Sequence, residues 1–385
     1  MSVTAAQGFT AAGIAAGIKE NGNPDLALVV NQGPRLAAAG VFTSNRVQAA
    51  PVQWSRQVLR GGTVSAVVLN SGGANACTGP KGFQDTHATA EKVAAVLGGG
   101  HNAGEVAVAS TGLIGITLPM DKLLPGIETA AAALDADGGE AAAIAIKTTD
   151  TVHKTSVHHG TGFTVGGMAK GAGMLAPGLA TMLVVLTTDA DLGPEVLDTA
   201  LRDATRTTFD RVDSDGCMST NDTVLLLASG ASGTVPDHAE FAEAVRLVCD
   251  DLGRQLIGDA EGASKEIRIE VIGAADEDDA VEVGRTIARN NLLKCALHGE
   301  DPNWGRVLSA IGTTRAAFDP DRLNVAINDV WVCKNGSVGE DRDLVDMKGR
   351  EIRITADLAT GSASAVIWTN DLTAEYVHEN SAYSS

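Results

Sequence analysis

The sequence predicts an α/β protein, and three observations carry the prediction. Short apolar runs recur at Asp25–Val30, Val64–Leu69, Glu105–Ala109, Met182–Leu186, Thr223–Leu227 and Glu266–Ile272. Stretches with helical periodicity separate most of them, at 84–97, 121–147, 194–209, 236–258 and 279–298. Runs of roughly four to eight residues suit strands, and runs of about ten or more suit helices, so the chain alternates between the two. With 385 residues, 44% of them hydrophobic, there is material for two domains or one large α/β body. The 44 glycines and abundant alanines predict closely packed helices.

The stretch Gly166–Ala190 organises the rest. Residues 160–178 read as a Gly-rich loop, which runs into the buried strand Met182–Leu186 with Thr181 at the junction. A hydroxyl there, behind the small Ala180, is a candidate nucleophile. It can attack its own upstream peptide bond in an N-to-O acyl shift. Cleavage between Ala180 and Thr181 would free the Thr181 α-amine to act as general base for the same hydroxyl. A Thr opening a strand is also ordinary, so the local pattern leaves both readings open.

In chain order, the strand Val64–Leu69 feeds the turn-rich Asn70-Ser-Gly-Gly-Ala-Asn75. The strand at 105–109 ends in Ser110-Thr111-Gly112. Gly there lets the peptide turn its N–H toward an anion or oxyanion, and a plain turn is the alternative. An Ala-rich region at 121–147 reads as two helices broken at Asp137–Gly139, followed by the hydroxyl-rich Lys147-Thr-Thr-Asp150. Pro194 opens a helix, where its missing N–H costs nothing. Glu261 sits in a Gly-containing loop before the strand at 266–272, where it can bind an amine, move a proton or cap a turn. Residues 279–298 read as one helix, His298–Arg306 as a polar loop, the last 60 residues mainly as strands, and Tyr376–Ser385 as a polar tail.

Composition excludes several classes. Residues 1–180 carry 11 Lys+Arg and 11 Asp+Glu, so the whole net charge of −19 falls on residues 181–385, with 18 and 37. That sign disfavours nucleic acid. It favours a cationic small substrate electrostatically, although an acidic surface also simply aids solubility. Five scattered cysteines form no CxxC pair, which argues against disulfides and structural zinc and fits a reducing cytoplasm. His153, His158 and His159 match no metal-binding helix, and Asp213-Ser-Asp215-Gly216 lacks the further ligands of a calcium loop. No Walker A or GxGxxG motif is present, the N-terminus does not read as a signal peptide, and no apolar run approaches a membrane span.

Eight separated stretches together resemble one family. They are Asn70–Gly79, Ser110–Gly115, Lys147–Thr151, Met168–Met174, Ala180–Leu183, Ser219–Thr223, Glu261–Lys265 and Asp301–Arg306. In this order they resemble the ornithine acetyltransferases (glutamate N-acetyltransferases) of arginine biosynthesis, from Gln7 to the C-terminus. The resemblance implies an αββα sandwich with two central β layers and self-cleavage at Ala180/Thr181. The resulting pieces are 1–180 and 181–385, which associate as a heterotetramer. It implies Thr181 as the acyl-enzyme nucleophile and Thr111 with Gly112 as the oxyanion hole. Substrate contacts fall on Thr148 (or its neighbour Thr149), Lys170, Thr181, Glu261, Asn380 and Ser385. The implied reaction is ping-pong transfer of acetyl from N-acetylornithine to glutamate, without metal or bound cofactor, and some members also take acetyl-CoA as donor. Two positions depart from the pattern: Ser385 stands where Thr is more usual, and Asp210 where Asn is expected. The alternatives are a related N-terminal-nucleophile aminopeptidase or amidohydrolase, a secondary-metabolism paralogue with another acyl partner, and a non-enzymatic binding protein.

Overall fold

The computed structural model describes residues 2–174 and 182–382. They form two units, one running to Asp210 and adding Cys217–Leu256, the other holding Arg211–Gly216 and the residues from Ile257 onward.

The first unit is built on two sheets. One has β1 (Phe9–Ile14), β2 (Leu26–Asn31), β4 (Ala66–Ser71) and β5 (Val106–Thr111) in that order, with β4 and β5 parallel. The other runs β3 (Ala37–Phe42), β9 (Thr223–Ala228), β8 (Leu183–Thr188), β7 (Phe163–Lys170), β6 (Lys154–Gly160). Here β8 and β9 are parallel, while β7 pairs antiparallel with β8. β2, β4, β5, β8 and β9 are buried along their whole length, which explains their unbroken apolar sequences. Val29, Val67, Leu69 and Ala107 of the first sheet share one core with Met168, Leu183, Val185, Leu225 and Leu227 of the second.

Helices cover the outer faces. Val93 of α2 (Gly79–Leu97) and Leu123 and Ile127 of α3 (Met120–Ala132) pack on Leu26, Leu28, Val68 and Val108. On the second sheet, α5 (Pro194–Thr207) lies over β3 and β9, and α6 (His238–Gly258) brings Val248 and Leu252 against β7. α1 (Ala50–Val58) packs on β5, whereas α4 (Gly139–Ala145) lies against β1 and β2 on the inner side, its Ala142, Ala143 and Ala145 joining the core shared by the two sheets. This is the expected αββα sandwich.

The loop expected over 160–178 is corrected, because Phe163–Lys170 is a strand. Its glycines serve packing rather than turning. A Cβ on Gly166 would stand 2.3 Å from the Ser2 carbonyl oxygen, and one on Gly167 would stand 2.7 Å from Leu186 Cδ2.

The second unit holds a six-stranded sheet. Its order is β13 (Ser337–Val338), β12 (Val330–Lys334), β11 (Asn324–Ile327), β14 (Glu351–Asp357), β10 (Glu266–Ala274), β15 (Ala363–Asn370). β10 alternates: Ile267, Ile269 and Val271 are buried, while Arg268 and Glu270 pair at 2.7 Å. α7 (Glu277–Ala288), α8 (Asn291–His298) and α9 (Trp304–Ile311) contribute Val283, Ile287, Leu293, Leu297, Val307 and Ile311 to the same core. The single helix expected over 279–298 is therefore two. Arg289 caps the end of the first and Asn290 the start of the second, its side chain accepting from Leu293 N. The expected polar tail is also corrected, since Ala374–Ala382 forms α10. Thr373 Oγ1 accepts from Tyr376 N at 3.0 Å at its start. No helix among the described residues is long and apolar enough to cross a membrane.

Candidate active site

Thr111 closes β5, level with Ser71 of β4, and is 1% exposed. Its carbonyl accepts from Gly72 N at 2.9 Å and Gly73 N at 3.0 Å, which seats the Asn70–Asn75 turn against it. Gly112 follows at φ +131°. A Cβ there would stand 2.5 Å from Gly73 N and 2.7 Å from the Gly72 carbonyl carbon, so only glycine fits. Its N–H has no partner among the described residues. The turn is therefore more than ordinary: it presents a donor, held from behind by a second glycine-rich loop.

Lys170 ends β7 opposite Leu183, the first residue of β8. It is 2% exposed, and its ammonium donates to Thr111 Oγ1 at 3.2 Å. A buried ammonium needs a counter-charge, and Asp150 supplies it. Asp150 Oδ1 accepts from Lys154 Nζ at 2.7 Å and Gly171 N at 2.6 Å, while Oδ2 accepts from Thr148 N at 3.0 Å. Burial pushes this carboxyl up, but the charges of Lys170 and Lys154 outweigh burial and hold it well below the usual carboxylate range. Thr148 is thus tied to the cluster through its main chain. Two buried lysines thus gather around the Asp150 carboxylate beside Thr111.

The start of β9 completes the arrangement. Asn221 Nδ2 donates to Ser110 O at 2.8 Å and Ala74 O at 2.6 Å, and its Oδ1 accepts from Thr220 Oγ1 at 2.6 Å. The fully buried Asp222 Oδ1 accepts from Met182 N at 3.1 Å, while Oδ2 finds no partner among the described residues. Burial pushes this carboxyl well above the usual range, against the opposing pull of Met182 N–H, the Ser219 and Thr43 hydroxyls and Lys170.

Glu261 and Asn380 lie in the second unit. Asn380 Nδ2 donates to Glu261 Oε2 at 2.8 Å. Gly262, at φ +62°, lets that loop press on Tyr376 N. Lys265 of the same motif is structural: its Nζ donates to Met347 O at 2.7 Å and Gly349 O at 3.0 Å. Ala180, Thr181 and Ser385 lie outside the described residues. Among the described residues no group of His, Cys, Asp and Glu could hold a metal.

Thr111, Gly112, Lys170 and Thr148 are thus brought together in the first unit. Glu261 and Asn380 are brought together in the second. Sequence reasoning gave no role to Asp150, Lys154, Asn221 or Asp222. Each lies within or beside a stretch that carried the resemblance, and that proximity was the available signal.

Known proteins resemble this chain along its whole length. The ArgJ family model matches residues 10–385. A Streptomyces avermitilis protein named arginine biosynthesis bifunctional protein ArgJ is 83% identical over the whole of both chains. A Thermobifida fusca protein of the same name is 64% identical, again over both whole chains. The crystal structure of ornithine acetyltransferase from Mycobacterium tuberculosis complexed with ornithine is 59% identical over 47% of this chain and 96% of its own, with a TM-score of 0.45.

Proposed function

The chain belongs to the ArgJ family, and from that premise we propose that it moves acetyl from N-acetylornithine to glutamate through an ester on Thr181. It is an acyltransferase of arginine biosynthesis acting on small molecules. The observation that carries the reading is the Lys170–Thr111 contact beside the unpartnered Gly112 N–H, with β8 starting two residues after Thr181.

The precursor first cuts itself. Thr181 Oγ attacks the Ala180 carbonyl, the Ala180–Thr181 amide bond breaks, and the departing nitrogen takes a proton. Water then hydrolyses the ester, leaving an Ala180 carboxylate and a free Thr181 amine. An α-amine with an ordinary pKa of about 7.7–8.0 is partly neutral at physiological pH and can take the hydroxyl proton. Thr181 Oγ attacks the acetyl carbonyl, and Gly112 N–H and Thr111 receive the developing negative charge. Losing one such donor typically costs ~10²–10³ in rate. The amine of ornithine leaves with the proton, and the amine of glutamate then attacks the ester.

Lys170 offers its charge to a substrate carboxylate, with Thr148, Glu261, Asn380 and Ser385 as further contacts. The relatives' name, "bifunctional", supports a second activity; acetyl-CoA is the second donor in this reading, and no cofactor stays bound. Pieces 1–180 and 181–385 stay associated, as a heterotetramer in the cytoplasm.

The test is an intact-mass spectrum before and after adding N-acetylornithine. Two fragments split at Ala180/Thr181, the second gaining an acetyl mass, are expected, and Thr181→Ala should remain uncut and inactive. A Thr181→Ala chain that still cuts and transfers would overturn the reading. Acetate in place of N-acetylglutamate among the products would point to a hydrolase instead.

A further inference from the structure

The stretch Ser219–Thr223 has so far only marked the family, yet two adjacent side chains in it reach both halves of the reaction centre. Asn221 and Asp222 stand just before β9. One grips an acceptor and the other a donor.

On one side is the Ser110 carbonyl. It belongs to the same planar peptide unit as Thr111 N, so fixing that oxygen fixes the plane from which Thr111 and Gly112 project. Asn221 donates to it at 2.8 Å and to Ala74 O at 2.6 Å. Thr220 Oγ1 donates to Asn221 Oδ1, which leaves the amide a single orientation with NH2 toward both carbonyls. On the other side is Met182 N–H. It belongs to the peptide unit that joins Met182 to Thr181, and Asp222 Oδ1 accepts it at 3.1 Å. Thr223 N in turn donates to Met182 O at 3.1 Å, so Met182 is held by both of its main-chain groups.

We propose that Asn221 and Asp222 act as one positioning pair, Asn221 aligning the Ser110–Thr111 peptide that leads into the oxyanion hole and Asp222 the main chain that carries the nucleophile. The proposal rests on the reading of Thr181 as nucleophile. Neither residue need touch the substrate, and the two have opposite chemical requirements. Position 221 must donate twice and position 222 must accept once. Asp222 is wholly buried, its second oxygen has no partner among the described residues, and burial raises its carboxyl well above the usual range against the pull of Met182 N–H, the Ser219 and Thr43 hydroxyls and Lys170.

Single-atom exchanges separate the two roles. Asn221→Asp keeps the shape but cannot donate to two carbonyls. It should lower kcat by about 10²-fold while KM for N-acetylornithine moves less than about threefold. Asp222→Asn keeps the acceptor and carries no charge. It should cut itself and turn over within about threefold of the parent. Asp222→Val removes the acceptor at similar volume, and should slow both self-cleavage and kcat by at least about tenfold. If Asn221→Asp does not fold, Asn221→Ala carries the same expected kcat loss.

Unchanged kcat in the 221 variants, unchanged cleavage in Asp222→Val, or a loss of about tenfold or more in Asp222→Asn overturns the proposal. Thr181→Ala, run alongside, separates the two levels. If it cuts and transfers, the nucleophile reading falls. If it is inert while the 221 and 222 variants behave as the parent, only the positioning pair falls.

Discussion

Gly112→Ala tests whether the shape of the Thr111–Gly112 turn sets the rate. At φ +131° an L-residue is strained, at a cost on the order of 1–3 kcal/mol. The new methyl would stand 2.5 Å from Gly73 N, where ordinary contact begins at 3.4 Å, so something must yield by about 0.9 Å. The methyl is opposed by the Gly72–Gly73 backbone, which is itself hydrogen-bonded to Thr111 O. The 112 peptide therefore shifts by most of that distance, carrying its N–H away from the oxyanion position. A displacement of about 1 Å costs on the order of 10² in rate, and a lost oxyanion donor ~10²–10³, or about 2.7–4 kcal/mol. The assay is steady-state kcat and KM for N-acetylornithine on cut enzyme, with circular dichroism to verify folding. A folded Gly112→Ala enzyme with kcat within about fivefold of the parent would refute the reasoning.

Two further predictions concern buried charge. Asp150→Asn leaves Lys154 and Lys170 buried without their carboxylate, and should lower unfolding free energy by about 3–5 kcal/mol in urea melts. Asp150 is depressed in the folded state. Its contribution is therefore present above its unfolded pKa of about 3.9 and fades as pH falls below that, so parent and variant should converge in acid; a constant gap down to low pH would contradict it. Lys294 is lowered to about 8 by burial, partly offset by Asp213, Asp215 and Asp371. Between pH 8 and about 10.5 the unfolded chain holds a proton that the folded one does not, so this site favours folding increasingly as pH rises, by on the order of 3 kcal/mol across the window. Urea melts at several pH values should show that rise in the parent and not in Lys294→Met, and parallel curves would rule it out.

β2, β4, β5, β8 and β9 were legible because they are buried on both faces, and continuous apolar runs have few other uses, whereas β1, β3 and β6 are only partly buried and present no such run. β7 was not, because Gly166 and Gly167 read locally as turn residues. Their need for a missing Cβ comes from Ser2 and Leu186, neither of them a chain neighbour. The break at Asn290 was hidden inside a helical pattern that continues on both sides, and only its capping bond to Leu293 N exposes it. Thr111 and Gly112 could be found because a strand ending in Thr-Gly is a local signal. The cluster around Lys170 could not. Lys170 meets Thr111, 59 residues away, only because β7 and β5 belong to sheets that face each other. Asp150 likewise looked like one more polar residue in a hydroxyl-rich loop.

The strand order of the second sheet bears on what self-cleavage leaves behind. β3, β7 and β6 precede the proposed cut and β8 and β9 follow it, so the sheet reads first, second, second, first, first piece. Two ladders, β3 with β9 and β7 with β8, thus become seams between separate polypeptides. The pieces cannot drift apart without melting the core of the sandwich. Once melted they no longer share a tether, and reassembly turns from a unimolecular event into a bimolecular one whose yield falls on dilution. The precursor can refold alone, whereas the mature enzyme must find its other half. Maturation would therefore exchange reversibility for activity.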